Sequence, residues 1–136
     1  VDAQHLYKTV LELGISFQIQ DDVLDAYGDE ATFGKKPGGD IVQNKKTFLV
    51  LKALAVANNE DKQLLQQLYT DKTIGSDKKI ATVLAIFNKY QIRKLAEDTM
   101  EQYYQSAIAA FEAVNIPVER KAALAGLIES VFKRTH

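Results

Sequence analysis

Residues 2–27 read DAQHLYKTVLELGISFQIQDDVLDAY, and the stretch carries the period of an α-helix throughout. Leu6, Val10, Leu13, Phe17 and Leu24 form one stripe, while Tyr7, Leu11, Ile15, Ile19 and Val23 occupy other faces. A helix apolar on several sides is expected to be surrounded by neighbours. The remaining sequence extends the helical pattern. Alternating strand-like runs are missing, and the two prolines, Pro37 and Pro117, stand where helices would stop. The expected fold is therefore all-α, a bundle of about six helices. After the first helix, four of the seven glycines fall between Gly28 and Gly39 and mark a loop. A capping box of Asp40 and Gln43 predicts a helix over Ile41–Ala57, with Phe48, Leu51, Leu54 and Ala55 inward. Further helices are expected over Glu60–Tyr69, over Asp77–Tyr90 behind a cap at Ser76, over Gln91–Val114, and from Pro117 to the end.

Composition narrows the class. Of 136 residues, 46% are apolar and 26% charged, which excludes disordered, collagen-like and membrane-spanning chains. The formal charge of -1 leaves no global field to gather nucleic acid or anionic membrane, so no nucleic-acid partner is expected. Cysteine is absent, which removes disulfides, thiolate metal sites and cysteine nucleophiles and fits a reducing, cytoplasmic setting. No apolar run approaches the roughly 18 residues of a membrane span. The sequence opens at Val1, without methionine and inside a helical pattern, as expected of a piece cut from a longer chain.

Charge is distributed unevenly. Residues 21–30 hold five carboxylates (Asp21, Asp22, Asp25, Asp29 and Glu30) and no base, whereas residues 31–52 hold five lysines (Lys35, Lys36, Lys45, Lys46 and Lys52) against Asp40 alone. Asp21 and Asp25 are four residues apart and share a helix face, to which Gln18 also points. Exposed like charges at that spacing cost only about 0.2–0.5 kcal/mol, but near a protein interior, at about 5.5 Å and an effective dielectric of about 20, two such carboxylates repel by roughly 3 kcal/mol. Protons or a cation must offset that. Hard oxygen donors without His or Cys favour Mg2+ or Ca2+ over zinc, and an EF-hand would need ligands on a loop. Mg2+, held by one or two carboxylates plus substrate phosphates, fits better. Lys35 and Lys36 sit among glycines that let backbone amides approach an anion. Lys45 and Lys46 fall in the first turn of the expected next helix, where a bound anion would offset the unfavourable macrodipole.

The series Phe17-Gln18-Ile19-Gln20-Asp21-Asp22-Val23-Leu24-Asp25, then Gly28-Asp29, Phe33-Gly34-Lys35, Gly39-Asp40-Ile41 and Asn44-Lys45, resembles the second aspartate-rich region of the trans-isoprenyl diphosphate synthases (the polyprenyl synthetases, which include farnesyl and geranylgeranyl diphosphate synthases). The resemblance implies the isoprenoid synthase helical bundle and a Mg2+-dependent condensation of an allylic diphosphate with isopentenyl diphosphate. It implies that Asp21, Asp22 and Asp25 serve the metal, that Lys35 and Lys45 contact the allylic diphosphate, and that Phe17 and Gln18 line the allylic pocket. A homodimer is the expected assembly. Nothing in the sequence matches the family's first aspartate-rich motif or its isopentenyl diphosphate ligands. Residues 1–136 thus resemble the C-terminal portion of one polyprenyl synthetase domain, expected to be inactive alone.

Other readings attach to the same residues. A solvated helix end would explain the three aspartates in isolation, and Lys36 and Lys46 read as solvated neighbours. Lys133 and Arg134 fit a helix C-terminus on dipole grounds, and His5 and His136 read as surface residues. A terpene cyclase of the same fold, or a noncatalytic helical subunit or dimerisation module, are the competing functions.

Overall fold

The computed structural model describes residues 2–28 and 37–134, with side chains for residues 3–28 and 37–130. Among them there are seven helices and no strand: α1 (Asp2–Tyr27), α2 (Gly39–Val42), α3 (Phe48–Val56), α4 (Asn59–Leu68), α5 (Ser76–Lys89), α6 (Ile92–Glu112) and α7 (Val118–Arg134). The protein is all-α, as its periodicity requires. Two compact units divide the chain: residues 1–20 with 99–136, and residues 21–98.

In the first unit the covered face of α1 runs through Thr9, Leu13 and Ser16, residues spaced for a single helix side. Ser16 is fully buried and donates its hydroxyl to the Met100 carbonyl at 3.1 Å. Met100, Ala107, Ala110 and Phe111 supply the buried side of α6. The turn into α7 is closed by Lys121, whose ammonium donates to the carbonyls of Glu112 and, at 2.9 Å, Val114. That places a cation on the negative end of α6. The expectation that α1 is enclosed on all sides does not hold over its first turns. Leu6, Tyr7, Val10 and Leu11 are 47%, 70%, 64% and 50% exposed. The elements that cover α1 there reach one side of it only.

The second unit has a continuous apolar centre of Ile41, Leu49, Val50, Ala53, Leu65, Leu68, Val83, Ile86, Phe87 and Ile92. Full burial of each large member contributes about 1.5–3 kcal/mol. Helix α4 starts at Asn58, whose side chain accepts from the Asp61 N–H at 2.8 Å. It is tied to the end of α5 by Tyr90, whose hydroxyl donates to Asp61 at 2.5 Å and accepts from the Asn58 N–H at 3.1 Å, and by Lys89, 2.7 Å from the same carboxylate. Lys89 and Tyr90 together hold the Asp61 carboxyl below its usual range.

The single helix expected over Ile41–Ala57 is two. Asn44 takes φ of 60°, in the left-handed region that interrupts a helix, and α3 restarts behind Thr47, whose side chain accepts from the Val50 N–H at 3.4 Å. The break turns the inward face. Leu49, Val50 and Ala53 are buried, whereas Leu51 is 55% exposed and Ala55 is exposed. Asp40 does not form the capping box, because its carboxylate faces Lys45 at 3.4 Å. Nor does Ser76 cap α5: the N-cap is Gly75, and Ser76 is the first helical residue.

Candidate functional site

The acidic end of α1 carries three carboxylates with different surroundings. Asp21 is exposed, while Asp22 and Asp25 are 7% and 4% exposed. No basic residue occupies the last turn of α1, so these acids stand at the negative end of a helix dipole without local compensation. The compensation comes from later chain. Asp25 accepts from the Asp40 N–H at 2.8 Å, in the first turn of α2, and its own carbonyl accepts from the Gly38 N–H at 2.6 Å. Asp22 accepts from the Phe48 N–H at 3.0 Å, the first residue of α3. Two acids within one turn of α1 therefore hold the starts of two other helices, each supplying the N–H groups that a helix beginning leaves unpaired.

The close approach at Asp25 requires glycine. Gly38 has φ of +98°, and a β-carbon there would lie 2.7 Å from Ile80 Cδ1. Between the two anchored helix starts lie Asn44, Lys45 and Lys46. They precede α3 instead of sitting in its first turn, since Thr47 is the cap. Lys45 is 59% exposed along its side chain and ion-paired to Asp40. Lys46 stands 5.4 Å from the centre of the Tyr69 ring, and Lys79 stands 5.2 Å from it. Lys79 also donates to Asn44 Oδ1. The Tyr69 hydroxyl is buried without a partner among the described residues, and burial, with the negative charges of Asp40 and Asp25 nearby, pushes it well above the usual tyrosine range.

The structure thus joins Asp25, Asp40 and Lys45, residues that the sequence separates into an acidic and a basic block. It does not gather Asp21, Asp22 and Asp25 into one ligand cage: among the described residues no group of three or more His, Cys, Asp or Glu side chains converges as a metal site. An exposed Asp21 beside two braced neighbours suits Mg2+, which takes one or two protein carboxylates and completes its shell with water and phosphate oxygens. Phe17, half-buried, and Gln18, exposed, belong to the first unit. Lys35 and Lys36, with Asp29, Glu30, Phe33 and Gly34, lie outside the described residues, as do the side chains of Lys133 and Arg134 and the whole of His136.

Three participants escape a sequence reading: Tyr69, Lys79 and the side chain of Asn44. For Lys79 a signal exists, because it stands four residues before Val83 and seven before Ile86, on the buried stripe of α5. A lysine in that register is out of place unless something holds its ammonium.

A family profile described as Polyprenyl synthetase matches residues 1–87. The chain is 35% identical over 130 residues to a farnesyl pyrophosphate synthase of Bos taurus, covering 96% of this chain and 35% of that protein. It is 32% identical over 124 residues to a short chain isoprenyl diphosphate synthase of Methanothermobacter thermautotrophicus, covering 91% of this chain and 37% of that one. Among solved structures, a geranylgeranyl pyrophosphate synthase superposes with a TM-score of 0.84 at 34% identity, over 98% of this chain and 42% of the other. The chain spans about a third of the length of the curated relatives it matches. It belongs to the polyprenyl synthetase family.

Proposed function

We propose that this chain is the C-terminal part of a Mg2+-dependent trans-prenyltransferase that condenses an allylic diphosphate with isopentenyl diphosphate to a longer polyprenyl diphosphate. The observation that carries this reading is the connection from Asp25 through Asp40 to Lys45, which joins a carboxylate-bearing helix end to an exposed cation. Asp21 is the exposed carboxylate suited to hold Mg2+, and Asp22 and Asp25 keep the surrounding helix starts in place. Lys45 and Lys35 bind the allylic diphosphate, and Phe17 and Gln18 line its hydrocarbon pocket. An exposed lysine–carboxylate pair contributes at most about 1 kcal/mol, so the Lys45 ammonium can turn from Asp40 to a diphosphate oxygen of higher charge. Bound magnesium supplies neutralisation of the charge that develops on the departing diphosphate. No helix among the described residues is long and apolar enough to cross a membrane, and a cytoplasmic homodimer is the proposed setting.

The test is chain elongation with Mg2+, labelled isopentenyl diphosphate and allylic primers. It is run on the chain alone and on the bovine farnesyl pyrophosphate synthase with its matching third replaced by this chain. Product from the chimaera, none from the chain alone, and loss of product by orders of magnitude in the Asp21→Ala chimaera are expected. A chimaera that is helical by circular dichroism yet makes no product would refute the proposal.

A further inference from the structure

Lys79 is the one buried lysine among the described residues, at 5% exposure. Its ammonium donates to Asn44 Oδ1 and lies against the Tyr69 ring, and among the described residues no carboxylate is within ion-pair distance of it. Burying a cation against an amide oxygen and a ring carries a desolvation cost that Met or Leu in the same register would avoid. Burial accordingly holds the Lys79 ammonium below the usual lysine range. What the arrangement secures is backbone direction. Asn44, at φ of 60°, is one of two residues other than glycine with positive φ among the described residues, a conformation Asn tolerates better than most but still at a cost. On either side of it the Asn44 N–H donates to Ile41 at 3.1 Å and the Lys45 N–H to Asp40 at 2.9 Å. The path the chain takes out of Asn44 decides where Lys45 points.

We propose that Lys79 is a positioning residue for Lys45: its ammonium, lying over the Tyr69 ring, grips the Asn44 side chain, holds residue 44 left-handed and aims the following ammonium at the diphosphate. The proposal rests on the reading of Lys45 as a diphosphate ligand. Because Lys79 is engaged by Asn44 and Tyr69, it acts through Asn44 and does not itself take the anion.

The experiment uses the whole 136-residue chain, isotope-labelled for NMR, with inorganic pyrophosphate and Mg2+ as the probe. In Lys79→Met, the Asn44 Cα and Cβ shifts should leave their left-handed values. The dissociation constant for Mg2+-pyrophosphate should rise about tenfold or more with helix content unchanged. Lys79→Arg, which keeps a donor and a ring contact, should recover most of the affinity. Lys79→Met combined with Asn44→Ala should bind no worse than either single variant, because both act through one contact. If Lys79→Met loses its helix content, Asn44→Ala alone carries the test and must show the same loss. Asn44 shifts that ignore Lys79→Met, or losses that add in the double variant, overturn the grip. Equal pyrophosphate binding by the unaltered chain and Lys45→Met overturns the diphosphate reading, and the positioning role with it, whatever the Asn44 shifts do.

Discussion

Replacing Asp25 separates a structural brace from a metal ligand. Asp25 is 4% exposed, and its carboxylate receives the Asp40 N–H at 2.8 Å, a charge-assisted bond of the kind that contributes about 1.5–3 kcal/mol. Asp25→Ala removes that bond and leaves the Asp40 N–H, at the start of a four-residue helix, without its acceptor. A loss of about 2–3 kcal/mol is expected. Asp25→Asn keeps an acceptor oxygen but no charge, so the bond falls to the neutral range and the loss to about 1 kcal/mol. With a urea slope of about 2 kcal/mol/M, Asp25→Ala should lower the unfolding midpoint by about 1 M and Asp25→Asn by about half that. Because the chain divides into two units, unfolding is followed by NMR resonances of residues 21–98 in addition to circular dichroism. Titration with Mg2+ alone, on the same three proteins, supplies the contrast. Midpoints unchanged in both variants, with Mg2+ affinity lost, would refute the bracing argument and return Asp25 to the metal.

Gly38→Ala must place a β-carbon 2.7 Å from Ile80 Cδ1 at φ of +98°, and should destabilise by about 2–4 kcal/mol in thermal unfolding, with partial recovery on adding Ile80→Val. Tyr69→Phe removes a buried hydroxyl that has no partner among the described residues while keeping the ring, and should raise stability by about 1 kcal/mol near neutral pH. The raised Tyr69 pKa means the unfolded chain loses the proton first. Stability from this residue is therefore fully present below about pH 10 and falls above it, a decline that Tyr69→Phe should lack. The exposed Leu6, Tyr7, Val10 and Leu11 should make the isolated chain bind hydrophobic dye and associate in light scattering, and Val10→Glu should weaken both.

The helical class, the extent of α1 and the division of charge across residues 21–52 were legible without a structure, because each depends on residues near one another in sequence. Periodicity needs only a few turns, and glycine-rich punctuation acts where it stands. The resemblance to the polyprenyl synthetase family was legible for the same reason, as a local pattern of some thirty residues. What failed was the stretch Ile41–Ala57. Its residues are compatible with one continuous helix, and the interruption at Asn44 is set by distant partners: the Asp22 carboxylate receiving Phe48, the Asp25 carboxylate receiving Asp40, and the Lys79 ammonium on Asn44. Local propensities differ by less than about 1 kcal/mol per residue, and such long-range bonds outweigh them. The same limit applied to the site. The sequence by itself determined which acids and lysines stand close together along residues 21–52. Only the tertiary structure decided that Asp22 and Asp25 turn to backbone amides while Asp21 faces solvent, because those amides belong to chain fifteen and twenty-six residues away.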